Sequence, residues 1–290
     1  MAEQNKYQAA FRRFDAAESD QIIAKKVRNI RGAHFAENFT SETLSRIYGC
    51  IDLTSLNVTD TKASVRDLVE SVNKAKDVDP TLPHIAAICT YPVFVETVKQ
   101  SLLVKEVKIV SVAAGFPSAQ TFAEIKVAET AMAVMAGADE IDVMMNLGYF
   151  QEEAFEESAD ELAEIKDSCR HAKLKVILET GALVTPENIR RAAILALYSG
   201  AGFIKTSTGK DCPGATPEAV YVMCKVIKQY AALSGRKAGI KISGGIRTAE
   251  DAVLYYTLVK ELLGEDWLNS NLFRIGASRL AADIAKRTVR

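Results

Sequence analysis

The stretch 202-GFIKTSTGK-210 decides the fold that we predict for this chain. It begins as a short apolar run, which predicts a buried strand, and it ends as a polar loop that contains glycine. Lys205 stands within the strand, where an ammonium group is unfavourable unless it is paired or loses its proton. The loop can direct backbone N–H groups and the cation of Lys210 at a phosphate. The structural alternative is that Lys205 reaches solvent from a strand end and that Lys210 is a solvated cation.

A unit of one short apolar strand followed by one helix recurs along the chain from about residue 48. The predicted strands cover residues 50–53, 84–89, 107–112, 140–145, 174–179, 202–206, 239–243 and 271–276. The predicted helices cover residues 61–73, a segment that begins at 91–92, and residues 119–136, 151–171, 186–198, 217–233, 248–263 and 277–287. Strands that are apolar throughout are typical of parallel strands covered on both faces.

Eight such units predict an α/β protein built as a single (β/α)8 TIM barrel with an N-terminal helical extension. The alternative, an open doubly wound sheet, would need a GxGxxG turn after the first strand, and residues 52–55 (DLTS) do not resemble one. Residues 18–31 carry an apolar stripe at helix spacing. We therefore predict a helical extension at residues 1–47 that packs on the outside of a catalytic barrel at residues 48–290.

Composition narrows the possible functions. The net charge of -1 over 290 residues gives no basic field for nucleic acid, and no apolar run approaches the ~20 residues of a membrane span. The start of the chain has no apolar region of the signal-peptide type. Five scattered cysteines without CxxC spacing indicate neither a disulfide framework nor a zinc site, and we expect a cytoplasmic protein. The three histidines, His34, His84 and His171, are too dispersed for a catalytic or metal cluster, so no metal is expected.

Polar residues that come late in the apolar strands are the candidates for chemistry, because barrel active sites lie at the carboxyl ends of the strands. These residues are Asp52, Cys89, Asp142, Lys205 and Lys241. Alternation places Lys205 on the same face as Phe203 and Lys241 on the same face as Gly239. If both lysines point inward from neighbouring strands, their two ammonium groups cannot both stay charged at low free energy. One amine would then be neutral and able to attack a carbonyl, with Asp142 as acid or base. The alternatives are a structural ion pair between Asp142 and Lys241, and a core role for Cys89.

Three loops rich in small residues follow strands six to eight at residues 208–210, 243–247 and 276–279. Barrels often bind phosphate after strands seven and eight, at the start of a short helix. The Gly244-Gly245 pair allows a ligand to approach the backbone closely. The three loops together predict a phosphate site.

At these residues the sequence resembles the deoxyribose-phosphate aldolases, a family of class I aldolases. The motifs that carry the resemblance are IDLT at 51–54, EIDV at 140–143, FIKTSTG at 203–209, GIK at 239–241, GGIR at 244–247 and RIGAS at 274–278. The resemblance implies reversible cleavage of 2-deoxy-D-ribose 5-phosphate to glyceraldehyde 3-phosphate and acetaldehyde, without metal or organic cofactor. The implied partners are therefore small phosphosugar and aldehyde substrates.

The resemblance also implies a role for individual residues. Lys205 would form the Schiff base, Lys241 would stay protonated and lower the pKa of Lys205, and Asp142 would shuttle protons. The residues that the resemblance places around the substrate and its phosphate are Asp52, Gly209, Lys210, Gly244, Gly245, Gly276 and Ser278. We also expect Thr54, Cys89 and Thr206 to lie at the substrate site.

Two departures from the family pattern bear on the mechanism. Some bacterial members end in a tyrosine that relays protons, whereas residues 288–290 here are TVR, and Arg279 stands where a second serine is common. The extension before the barrel could serve an oligomer contact, as a homodimer or a larger homo-oligomer. Two other functions stay open at this point: a phosphosugar isomerase that uses the lysines only as acid, base or clamp, and a regulatory phosphosugar binder.

Overall fold

Eight parallel strands form a closed barrel in the computed structural model, which describes residues 6–288. The strands are β1 (Ile51–Thr54), β2 (Ala87–Thr90), β3 (Lys108–Ala113), β4 (Glu140–Met144), β5 (Lys173–Ile177), β6 (Phe203–Lys205), β7 (Gly239–Ser243) and β8 (Phe273–Ala277). Each strand pairs with the next in sequence, and β8 pairs with β1 to close the barrel. The predicted (β/α)8 barrel is confirmed. The tail at 289–290, where the sequence lacks a tyrosine, lies outside the described residues.

Helices surround the barrel and also precede it. They are α1 (Lys6–Phe11), α2 (Asp20–Asn38), α3 (Ser41–Tyr48), α4 (Lys62–Asn73), α5 (Ala75–Val78), α6 (Val95–Ser101), α7 (Ala123–Ala136), α8 (Leu147–Gln151), α9 (Phe155–Ser168), α10 (Thr180–Leu183), α11 (Pro186–Tyr198), α12 (Pro217–Ser234), α13 (Ala249–Leu263) and α14 (Leu280–Thr288). Short 3₁₀ turns occur at Pro92–Phe94 and Glu265–Trp267.

Local sequence sets where several helices begin and end. The hydroxyl of Thr216 accepts a hydrogen bond from the backbone of Ala219, which caps α12 as its sequence predicts. Thr61 and Thr248 form capping boxes at α4 and α13. Gly137 ends α7 with φ = +116°, a conformation that suits glycine.

Two predicted helices differ from the observed ones because residues other than glycine adopt positive φ. The helix expected over 119–136 begins only at Ala123, since Ala114 and Ala119 have φ of 59° and 56° in the preceding loop. The helix expected over 151–171 begins only at Phe155 and ends at Ser168, because Glu153, in the turn between α8 and α9, has φ = 57°. The helix predicted over 277–287 also begins later than expected, at Leu280.

The helices before β1 pack on the outer ring of helices. Helix α1 contacts α11, α2 contacts α12 and α13, and α3 contacts α13 and α14. Phe11 and Ile23 are buried in the main hydrophobic core, and the Phe11 ring meets the edge of Phe155 at a centroid distance of 5.1 Å. The division at residue 47 into extension and catalytic domain stays a prediction.

Phe203 and Gly239 make room for each other inside the barrel, on neighbouring strands. A Cβ atom added at Gly239 would lie 2.3 Å from Cε1 of the Phe203 ring, so only glycine fits beside this ring. Gly239 therefore leaves space for the bulky side chain of Phe203. In residues 6–288, no helix has both the length and the apolar character needed to cross a bilayer.

Candidate active site

The centre of the site is a pair of buried lysines on neighbouring strands. Strand pairing places Lys205 of β6 directly opposite Lys241 of β7, and the two residues are 3% and 1% exposed. Both amines contact the same oxygen of Asp142 on β4: Lys205 Nζ lies 2.8 Å and Lys241 Nζ 2.7 Å from Oδ2. The two nitrogens are therefore no further apart than the sum of these distances, about 5.5 Å. The three residues that the sequence singled out meet at one point.

The two lysines differ in their electrostatic surroundings. Burial lowers the pKa of Lys205, and the neighbouring charge of Lys241 lowers it further, while Asp142 opposes both effects. Burial also acts to lower the pKa of Lys241, but Asp142 and Asp52 together raise that pKa above its ordinary value. One amine is thus shifted toward the neutral form beside another that stays charged.

Asp52 and Asp142 are wholly buried carboxylates that contact these amines from other strands. Asp52 Oδ2 lies 2.6 Å from Lys241 Nζ, and Asp52 Oδ1 lies 2.5 Å from Nη1 of Arg274. Burial would raise the pKa of each carboxyl, but the surrounding cations hold both pKa values below the ordinary value. Both side chains therefore remain anionic while they contact lysine ammonium groups.

The interior contains three further charged residues that sequence analysis missed: Lys175 on β5, Arg274 on β8 and Glu140 on β4. Lys175 Nζ lies 3.0 Å from Asp142 Oδ1, and Arg274 extends the network from Asp52 to Glu140. The sequence does carry a signal for them: each is a charged residue in an otherwise apolar strand, at a position that alternation places on the same face as an inward residue.

Three other predicted residues lie within or beside this cluster. Thr54 donates its hydroxyl to the backbone carbonyl of Asp52 at 2.8 Å. Cys89 is wholly buried, and burial raises the pKa of its thiol, which suits a small core residue better than a nucleophile. The Thr206 hydroxyl donates to the carbonyl of Ser243 and accepts from its N–H, both at 2.9 Å, so it links β6 to β7.

The predicted phosphate loops adjoin one another at the carboxyl ends of β6 and β7. Gly209, Gly244 and Gly245 have φ of 76°, 91° and 87°. Gly244 also packs backbone to backbone against Gly214, because a Cβ added at Gly214 would lie 2.3 Å from the carbonyl oxygen of Gly244. The amine of Lys210 donates to the backbone carbonyl of Leu56, which connects the loop after β6 to the loop after β1.

Glu179 fixes the loop after β6 and was not predicted. Its backbone adopts φ = 54°, and its buried carboxylate accepts hydrogen bonds from the N–H and the hydroxyl of Thr208. The N–H of Thr208 is therefore already occupied, and the N–H of Lys210 donates to the Thr208 hydroxyl at 3.2 Å. The N–H of Gly209, between them, is the one that we expect to meet a ligand.

Gly276 lies close to the lysines, whereas Ser278 and Arg279 lie at the surface. A Cβ added at Gly276 would meet Cε of Lys241 at 3.1 Å, so glycine keeps the lysine chain unobstructed. Ser278 and Arg279 are exposed, and Ser278 borders a groove with α14 residues such as Ala281 and Ala282. Gly276 therefore lies beside the central cluster.

Apolar side chains that follow the first four strands pack against buried residues of the barrel. They are Leu56, Tyr91, Phe116 and Leu147. The lysines themselves are almost wholly buried, and a water-poor site strengthens the charge interactions within it.

These features agree with the comparison to known proteins. A family model described as "DeoC/LacD family aldolase" matches residues 47–260. The chain belongs to the DeoC/LacD family of aldolases. It is therefore a class I aldolase, a lyase that acts on small molecules, and the isomerase alternative is not favoured.

Relatives of this aldolase carry the same activity in their names. The deoxyribose-phosphate aldolases of Homo sapiens and Bos taurus are each 38% identical to it, over 82% of this chain and 78% of their own length. A Caenorhabditis elegans protein is 39% identical over 95% of this chain and 89% of its own length. A deoxyribose phosphate aldolase from Aeropyrum pernix, described as a unique tetrameric structure, superposes with a TM-score of 0.64 at 26% identity and covers 93% of this chain and 97% of its own.

Proposed function

We propose that this aldolase cleaves 2-deoxy-D-ribose 5-phosphate reversibly to D-glyceraldehyde 3-phosphate and acetaldehyde, through a Schiff base on Lys205. The observation that carries the proposal is the amine of Lys205, buried beside a second cation and within 2.8 Å of a carboxylate. The substrate is supported by the names of the relatives and by the phosphate-binding character of the loops after β6 and β7.

The first chemical step is attack by the neutral amine of Lys205 on C1 of the open-chain sugar. Loss of water from the resulting carbinolamine gives an iminium ion, with protons transferred through Asp142 and Lys241. Asp142 can accept and return a proton at this position because its Oδ2 contacts both amines. Lys241 remains charged, since Asp142 and Asp52 raise its pKa.

The second step breaks the bond between C2 and C3. A base removes the proton from the C3 hydroxyl, the C2–C3 electron pair moves into the iminium, and glyceraldehyde 3-phosphate leaves an enamine on Lys205. Protonation of C2 and hydrolysis by water then release acetaldehyde and the free amine. Because the iminium accepts the electron pair, the chemistry requires neither a metal nor an organic cofactor.

Substrate phosphate is held in this proposal by the loops after β6 and β7. The backbone of Gly209, Gly244 and Gly245 supplies N–H groups, and Lys210 supplies a cation. Lys210 would exchange its contact with the Leu56 carbonyl for the phosphate. The other proposed substrate-site residues are Asp52, Thr54, Cys89, Thr206, Gly276 and Ser278.

The enzyme is also proposed to be a cytoplasmic homo-oligomer, with residues 1–47 as an extension and 48–290 as the catalytic barrel. Five free cysteines support a reducing compartment. An apolar stripe supports self-association: Phe122, Ile125, Met132 and Met135, on and next to α7, are 54–78% exposed. A Met132→Glu variant should lower the molar mass measured by light scattering, and an unchanged mass would contradict this face as the interface.

One assay tests the activity and the mechanism together. Formation of glyceraldehyde 3-phosphate from deoxyribose 5-phosphate is measured with and without prior treatment of the enzyme with acetaldehyde and borohydride. The proposal predicts cleavage that this treatment abolishes, because reduction fixes the imine. Turnover of the sugar phosphate that survives the treatment would instead indicate lysines that act without a covalent intermediate.

A further inference from the structure

The buried charged side chains next to Lys205 form a closed ring of ion pairs. Going round it, Arg274 Nη1 meets Asp52 Oδ1 at 2.5 Å, Asp52 Oδ2 meets Lys241 Nζ at 2.6 Å, and Lys241 Nζ meets Asp142 Oδ2 at 2.7 Å. Asp142 Oδ1 then meets Lys175 Nζ at 3.0 Å, Lys175 Nζ meets Glu140 Oε2 at 2.6 Å, and Glu140 Oε1 returns to Arg274 Nη2 at 2.8 Å. The contacts to Asp52 Oδ2 and Glu140 Oε2 are ion pairs by distance without hydrogen-bond angles.

We propose that Glu140 and Arg274 are positioning residues that close this ring, and that the charge balance of the closed ring sets the pH at which the amine of Lys205 becomes neutral. The inference rests on the proposed Schiff-base function of Lys205. Neither residue contacts that amine, so both would act through the carboxylates and lysines between them.

The charges of the ring balance one another in a buried space. The ring alternates three carboxylates with three cations, so it is neutral, and each carboxylate uses both of its oxygens on different cations. Lys205 is outside the ring, and among residues 6–288 its amine pairs only with Asp142 Oδ2, an oxygen already paired with Lys241. A proton on Lys205 would therefore add an uncompensated positive charge to a water-poor interior, which is unfavourable.

The groups that face Lys205 from the neighbouring elements are Asp142 on β4, Lys241 on β7 and Cys89 on β2. The thiol of Cys89 is neutral because burial raises its pKa. Asp142 and Lys241 are of opposite charge and both are ring members. The charge that Lys205 experiences is therefore set by the ring as a whole, including its far side at Glu140 and Arg274.

Opposite changes to the far side of the ring should have opposite effects. Glu140→Gln leaves the ring with one excess positive charge. This should lower the pKa of Lys205, so that its amine becomes neutral at a lower pH. Arg274→Met leaves one excess negative charge and should move that pKa to higher values. A unit charge at roughly 10 Å, with an effective dielectric constant of about 20, changes a pKa by about one unit.

The experiment measures the rate of borohydride trapping with acetaldehyde as a function of pH. The proteins are the wild type, Glu140→Gln, Arg274→Met, the double variant and Arg274→Lys, each checked for native circular dichroism. The inference predicts shifts of about one pH unit in opposite directions for the single variants. The double variant, whose ring is again neutral, should return toward the wild-type profile, and Arg274→Lys should stay near it. A purely structural role would reduce rates without moving the profiles in opposite directions.

Removal of one member of a buried ion pair can prevent folding. If Arg274→Met does not fold, Arg274→Gln makes the same charge change while it keeps a hydrogen-bond donor. Coincident pH profiles in folded variants would overturn the ring proposal while trapping on the wild type still supports the aldolase mechanism. No trapping on the wild type would contradict that mechanism itself.

Discussion

Replacement of Lys241 by methionine isolates the effect of its charge on Lys205. The two nitrogens are at most about 5.5 Å apart, the sum of their distances to Asp142 Oδ2. With an effective dielectric constant of about 20, two unit charges at this separation repel by about 3 kcal/mol, which corresponds to about two pKa units. In the variant, the negative charges of Asp52 and Asp142 are no longer balanced by Lys241, and this also favours the charged form of Lys205. Both effects raise the pKa of Lys205, so its neutral form should fall by about 100-fold near neutral pH.

The assay is the rate of imine trapping with acetaldehyde over a range of pH, compared with Lys241→Arg as the matched control. Wild-type Lys205 has a pKa below the ordinary lysine value of 10.5, so trapping should increase as pH rises through that lowered pKa. In Lys241→Met the increase should occur about two pH units higher, whereas Lys241→Arg should remain near the wild type. Coincident profiles for the methionine variant and the wild type would refute the argument that Lys241 sets the charge of Lys205.

Three further predictions concern the phosphate site, a buried ion pair and the barrel interior. Lys210→Met should raise KM for deoxyribose 5-phosphate about 10- to 100-fold, because a charge-assisted phosphate contact contributes ~1.5–3 kcal/mol; equal loss with unphosphorylated deoxyribose would contradict this role. Glu161→Gln should lower the free energy of unfolding in urea by about 3–5 kcal/mol by leaving Lys126 buried without its partner at 2.7 Å. The double variant Lys126→Met with Glu161→Leu should recover most of that loss, and an equally unstable double variant would be inconsistent with an unpaired charge as the cause. Gly239→Ala should lower stability by about 1–3 kcal/mol and slow imine trapping, since the new Cβ would displace Phe203 beside Lys205; a stability equal to wild type would show that the ring can move freely.

The barrel and the central trio of Asp142, Lys205 and Lys241 could be predicted because their signals are local in the sequence. Apolar strands at regular spacing indicate a parallel barrel, and alternation along a strand determines which side chains point inward. For Lys205 and Lys241, knowledge that β6 and β7 are neighbours was enough to predict a close pair. The caps at Thr216 and Gly137 follow from single-residue preferences of helix ends.

The charged residues beneath the trio could not be predicted because their roles depend on partners across the barrel. Position along the strand does not reveal them, because Lys175 lies midway along β5 as Lys241 does along β7. Glu140 begins its strand, where a charged residue ordinarily faces solvent. Their pairing with Asp52 and Asp142 depends on strand register around the closed barrel, which no short motif encodes. Positive φ at Glu153 likewise depends on tertiary packing, and it delays to Phe155 the start of a helix that periodicity alone begins at residue 151.

The central claim is that Lys205, and not its neighbour, carries the imine. After treatment with acetaldehyde and borohydride, trypsin cannot cleave at an alkylated lysine, so the modified peptide identifies the site. The account predicts a modified peptide that spans residues 192–210, with cleavage at Lys241 intact. A modified peptide at 238–247, which places the adduct on Lys241, would contradict it.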